Sequence, residues 1–168
     1  MEATAGELTG KVSRCLVILA LATVAWADPI HFLVIKSERE AVLAELGRGV
    51  SIDLPDHNGE TPLHWAVRHN LPEMVNFLLD RGAAPDLTDP YGRAPLYHAQ
   101  SVELAAPLLD RGANPSRPDQ SGSTPLHQAC LYGKAKVVAM MLQRGALPNV
   151  ASRYGTTPLL DACHYGSV

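Results

Sequence analysis

The sequence predicts an all-α solenoid of stacked helix-turn-helix units with β-turn fingers, and three observations predict it. First, a short segment recurs with a period near 33 residues. Thr61-Pro62-Leu63-His64-Trp65-Ala66, Ala94-Pro95-Leu96-Tyr97-His98-Ala99, Thr124-Pro125-Leu126-His127-Gln128-Ala129 and Thr157-Pro158-Leu159-Leu160-Asp161-Ala162 share one phase. Self-similarity at a fixed period marks a repeat architecture. Second, Gly turns keep step with it: Arg48-Gly49, Arg81-Gly82, Arg111-Gly112 and Arg144-Gly145. Third, hydrophobic residues make up 46% of the 168 residues and aromatics 5%. That is too apolar for a disordered chain, and Leu, Val and Ala must do the packing.

Residues 1–27 read as a leader. Cys15 to Ala27 carries no charge, Lys11 and Arg14 stand just before it, and Ala25 and Ala27 form a small-x-small pair ahead of Asp28. A basic start, a short apolar run and an A-x-A-like end describe a secretory signal peptide. The run is shorter than the roughly 18–20 residues of a membrane span. Glu2, Glu7 and the long stretch before the run depart from that pattern. A buried helix or an uncleaved membrane anchor are the competing readings. Cleavage after Ala27 would leave 28–168 with the same net charge of −3, since one pair each of bases (Lys11, Arg14) and acids (Glu2, Glu7) departs.

The repeat domain spans 28–168, in units 28–55 (without its opening turn), 56–88, 89–118, 119–151 and 152–168 (partial). Unit 56–88 shows the physics. Asp56-His57-Asn58-Gly59 carries the Asx and Gly chemistry of a tight turn. Thr61 is placed to cap the first helix, and Pro62 suits its first turn. Leu63, Ala66 and Val67 share one helical face. Pro72 opens the second helix, whose buried stripe is Met74, Val75, Leu78 and Leu79. Gly82 ends it in the left-handed region. Neither helix is long enough to be stable alone, so stacking on neighbours must stabilise both.

Two units depart from the pattern. Unit 89–118 is three residues short, and the gap falls after Gln100, between its two helices. Pro107 lies beyond the first turn of the second helix, where it removes a hydrogen bond and should kink the helix into a bend or soft point. The partial unit offers one helix over 158–165 and leaves the apolar side of Leu142 without a neighbour. Three readings stay open: the half unit is the cap, the sequence is a fragment, or a partner covers this end.

The Thr-Pro-Leu-His-x-Ala segments, the 33-residue unit and the Gly turn resemble the ankyrin repeat. The resemblance covers Asp28 to Val168. It implies that His64 and His127 tie neighbouring turns through backbone hydrogen bonds, and that units with Tyr97 or Leu160 in that position lack the tie. It also implies recognition of a protein partner by turn tips and the concave face of the first helices. Those positions hold His57, Asn58 and Glu60; Pro90, Tyr91 and Arg93; Gln120, Ser121 and Ser123; Arg153, Tyr154 and Thr156; and, on the helices, Arg68, His69, Leu131, Tyr132, His164 and Tyr165. Four of the five Tyr fall there, and Tyr and Arg are enriched at interface hot spots. The expected contact set is Tyr91, Arg93, Tyr132, Arg153, Tyr154, Tyr165, Arg68 and His69.

Chemistry of other kinds finds no support in the residues. No nucleophile elbow, phosphate loop or zinc-protease motif occurs, and the seven His have no ligand spacing. The expectation is a non-enzyme with no metal and no cofactor. A net charge of −3 lacks the basic footprint of a nucleic-acid binder. Cys130 and Cys163 are 33 residues apart, hence on adjacent packed helices about 8–10 Å apart. A disulfide needs a closer approach of about 4.4–6.8 Å, so both are expected as free, partly buried thiols. The resulting expectation is a monomeric module that binds a protein partner, periplasmic or secreted, with no membrane contact after cleavage. A cytoplasmic or membrane-anchored location is the alternative. The alternative functions are an inhibitor or regulatory subunit of an enzyme, or a secreted effector acting on host proteins.

Overall fold

The computed structural model describes residues 29–165, with burial assigned to side chains 30–164. The leader of residues 1–27, and with it Cys15, lies outside the described residues. Eight α-helices form among the described residues: α1 (Pro29–Ile35), α2 (Arg39–Gly47), α3 (Pro62–Arg68), α4 (Pro72–Asp80), α5 (Val102–Asp110), α6 (Pro125–Leu131), α7 (Ala135–Gln143) and α8 (Pro158–Tyr165). A single 3₁₀ turn, Pro95–His98, stands between α4 and α5.

Each unit up to 119–151 contributes an inner and an outer element, and the last contributes an inner one among the described residues. The inner row runs α1, α3, the 3₁₀ turn, α6, α8, each packed on the next. In the outer row α4 packs on α5 and α5 on α7. The core lies between the rows. Leu63, Ala66 and Val67 meet Met74, Val75, Leu78 and Leu79 there, and the same stripe continues through Leu96, Leu104, Leu108, Leu126, Val137 and Met141. Burying each such side chain contributes about 1.5–3 kcal/mol relative to leaving it exposed.

Local chemistry sets the helix starts as the sequence predicts. Thr61 Oγ1 accepts from the His64 amide at 3.5 Å, and His64 Nδ1 accepts from the Thr61 amide at 3.1 Å. Thr124 and His127 form the same reciprocal cap. Pro62, Pro72, Pro95 and Pro125 all sit in first turns, where a missing N–H costs nothing.

Unit 89–118 differs from its expected form. Its missing residues do not shorten the connection between the helices. The link from the 3₁₀ turn to α5 is residues 99–101, matching 69–71 between α3 and α4. The loss falls instead on the inner element, which has four residues where α3 and α6 have seven. Outer helix α5 runs on through Pro107 for nine residues, as long as α4 and α7. Leu104, Ala105, Leu108 and Leu109 hold it by burial on both sides of the proline.

The thiols are free, but their burial is unequal. Cys130 is buried, and Cys163 is exposed rather than partly covered. Among the described residues no outer helix packs on α8, and Leu142 of α7 and Leu159 of α8 are 43% and 71% exposed.

Candidate functional site

Each finger is built on an acidic or hydroxyl residue that gathers backbone donors. Asp56 Oδ1 accepts from the amides of Asn58 and Glu60, each at 2.8 Å. Asp89 Oδ1 accepts from Tyr91 and Arg93 at 2.9 Å, and Asp119 Oδ1 from Ser121 and Ser123 at 2.8 and 2.9 Å. Burial pushes the Asp56 and Asp89 carboxyls up, but these hydrogen bonds outweigh it and hold both below the usual carboxylate range, with the Trp65 indole N–H aiding Asp56 and the Arg93 guanidinium aiding Asp89.

The signature histidines then tie one unit to the next. His31 Nε2 pairs with the Glu60 carbonyl at 2.9 Å, His64 Nε2 with that of Arg93 at 3.0 Å, and His127 Nε2 with that of Thr156 at 3.2 Å. For His64 the geometry fixes the tautomer: Nδ1 accepts from Thr61, so Nε2–H donates. Burial holds its pKa below the ordinary histidine value. Where Tyr97 replaces His, a side-chain contact to the next unit stands in place of the backbone tie. The Tyr97 hydroxyl donates to Asp119 Oδ2 at 3.0 Å and accepts from Gln128 Nε2 at 2.9 Å. Burial, with the Asp119 carboxylate beside it, pushes the Tyr97 hydroxyl up to about 12.

Of the contact residues expected from sequence, Tyr91, Tyr132 and Tyr154 are 62%, 56% and 83% exposed. Arg153 and His69 are exposed, and the His69 ring lies against Trp65 with centroids 5.6 Å apart. The Tyr165 side chain lies outside the described residues. Two of the arginines are already engaged. Arg68 forms an ion pair with Glu60. Arg93 is bound to Asp89 through Nε at 2.7 Å, and its guanidinium carbon sits 4.6 Å from the Tyr91 ring centroid. Arg93 therefore braces Tyr91 rather than standing free.

Two cavities open along the inner row. One, of about 290 Å³, is lined by Asn58, Glu60, Trp65, Arg68 and His69. The other, of about 210 Å³, joins Arg93 and Tyr132 with Tyr97, His98, Gln100, Gln128 and Lys134. Arg153 and Tyr154 stand on the last finger and line neither. Sequence reasoning did not select His98, Gln100, Gln128 or Lys134. The short unit was the available signal, but assigning its gap to the inter-helix link hid the space left on the inner row. His98 is pushed down to about 4, by burial first and then by the charges of Arg93 and Arg68. No cluster of His, Cys, Asp or Glu among the described residues could hold a metal ion.

Paired helices repeated at 33 residues, each unit contacting its neighbours, define the class: a helical repeat solenoid. Family models of ankyrin repeats match residues 30–119, as three copies, and 108–160, as many copies. The chain belongs to the ankyrin repeat family. Its repeats are generally protein–protein interaction modules and typically non-catalytic. A search of curated proteins found no match. No helix among the described residues is long and apolar enough to cross a membrane.

Proposed function

We propose that the chain is a non-catalytic module that captures a protein partner on its concave face and turn tips. The observation carrying this reading is the exposure of Tyr91, Tyr132 and Tyr154. Tyr offers a large, rigid contact area with a polar tip at small entropy cost. Arg93 pre-orders Tyr91, so less freedom is lost on binding. Arg153 and His69 extend the surface, with Arg68 held beside His69 by Glu60.

Replacing Tyr91, Tyr132 and Tyr154 together by Ala should weaken partner capture at least tenfold and leave the helical CD signal unchanged. Capture at wild-type strength would refute the assignment. The proposed site of action is outside the cytoplasm, as the leader pattern suggests. N-terminal sequencing of the mature protein should then begin at Asp28, whereas an intact Met1 in the cytosol would remove that reading.

A further inference from the structure

The shortened inner element leaves a notch. Between α3 and α6, each seven residues long, stands a four-residue 3₁₀ turn. Beside it lies the cavity of about 210 Å³, lined by Tyr97 and His98 of the 3₁₀ turn, by Ala99 and Gln100 after it, and by Tyr132. Its volume is below the roughly 300–1,000 Å³ of small-molecule sites, and suits a single side chain. Its lining is polar and carries cations but no carboxylate: Arg93, His98, Gln100, Gln128, Tyr132 and Lys134 contribute. Asp119, whose Oδ2 accepts from the Tyr97 hydroxyl, is not part of the lining.

The charges here are not equally free. Arg93 is committed to Asp89. The six ion pairs among the described residues use Arg39, Arg48, Arg68, Arg93, Arg111 and Arg144, and none uses Lys134. Lys134 is half-buried, just ahead of α7, with its backbone amide donating to the Ala129 carbonyl at 2.8 Å. Lys134 has no carboxylate within ion-pair distance among the described residues, so its ammonium is open to an incoming anion, and a charge-assisted hydrogen bond there is about twice as strong as a neutral one. Tyr132, 56% exposed at the rim, can cover the entering side chain.

We propose that this notch is a specificity pocket that takes one acidic side chain, Glu or Asp, of the bound protein, with Lys134 as its counter-ion. The proposal rests on the reading of the concave face as a protein-binding surface. It adds what that reading lacks, a chemical requirement on the partner. Tyr97, His98 and Gln100 of the lining belong to the shortened unit, so the requirement attaches there.

The test is selection of random peptides, displayed with their C-termini fused, against the full chain. Selected sequences should share an acidic residue. In synthetic C-terminally amidated copies, changing that residue to its amide should weaken binding to the wild-type chain about tenfold or more. On Lys134→Gln the same change should have less than a twofold effect, and Lys134→Arg should restore the wild-type discrimination. CD and urea midpoints equal to wild type certify that both variants fold. Peptides that bind without an acid, or whose amide change acts equally on Lys134→Gln, would overturn the pocket and leave the binding surface standing. If no peptide is enriched over a Tyr91, Tyr132 and Tyr154 triple-alanine chain, the binding surface itself fails, and the pocket with it.

Discussion

Buried imidazoles explain both how the units lock and how the molecule should respond to acid. His64 and His98 are held below the ordinary histidine value, His98 at about 4. The unfolded chain, with histidine near 6.5, therefore binds more protons than the folded one between about pH 6.5 and pH 4. Stability is fully present above that window and falls as the pH drops through it. Urea midpoints measured from pH 7 to pH 4.5 should decline steadily, and His98→Gln should make the decline shallower. A midpoint that is flat over this range would contradict the burial of both rings. At a finger glycine and at a helix-end glycine the backbone sets the limit. Gly59 and Gly82 both have positive φ, +75° and +89°, so both resist a side chain. A Cβ at Gly82 meets open space, whereas at Gly59 it would lie 2.6 Å from Pro90 Cδ. Gly82→Ala should cost about 1 kcal/mol from the left-handed backbone alone. Gly59→Ala should cost clearly more, by about another 1–2 kcal/mol of overpacking. Equal losses in chemical denaturation would mean that the two fingers do not pack as closely as the geometry shows.

At the scale of the element, unit 89–118 shows which parts of a repeat are negotiable. The inner element is cut to four residues, yet Pro95 and Leu96 at its start stay buried. Outer helix α5 kept its nine residues because four of its side chains are in the core. That burial outweighs the hydrogen bond missing at Pro107, whose normal acceptor would be the Glu103 carbonyl four residues before. Pro107→Ala restores the donor and removes the ring clash. It also frees the unfolded chain, a loss of about 0.4–1 kcal/mol, against the roughly 3 kcal/mol that an interior helix proline costs. The net expectation is a gain of about 2 kcal/mol or slightly more, read as a higher urea midpoint at unchanged slope. A loss of stability would show that Pro107 is instead a favourable packing residue.

At the scale of the molecule, stability passes from neighbour to neighbour. Arg111 pairs with Asp80 and with the Leu79 carbonyl, and Arg144 with Asp110 at 2.5 Å. These form a ladder along the outer helix ends. Both carboxylates are more than half exposed, so each pair contributes at most about 1 kcal/mol. A second ladder links the loops. Asp53 accepts from the Ala84 amide at 3.0 Å, Asp86 from that of Asn114 at 3.0 Å, and Ser116 from that of Leu147 at 2.8 Å. In such a stack each unit is as stable as its own contacts plus its neighbours'. Helix α8 packs on α6, and among the described residues no outer helix follows it. Its amides should exchange with solvent fastest among the helices, and those of α4, packed on α3 and α5, slowest. Uniform protection from α1 to α8 would instead show a single cooperative body.

The period and the core stripe were legible in the sequence because they are local and repeated. A Thr that caps, a Pro that opens a helix and a Leu every third or fourth residue act within one unit, and their recurrence adds up. The exposure of Tyr91, Tyr132 and Tyr154 was legible for the same reason, since register alone places them on the outside. What tertiary structure decided is non-local. Whether three absent residues shorten a link or a helix depends on which residues the neighbouring units hold in place. Whether Arg93 is free depends on Asp89 and Tyr91 closing on it. Tyr97 finds a new partner in Asp119 because the next finger brings that carboxylate within 3.0 Å. The sequence by itself determined the repeat and its face. Packing between unequal units decided where that face opens into a pocket, because a cavity belongs to the gap between neighbours and to no single segment.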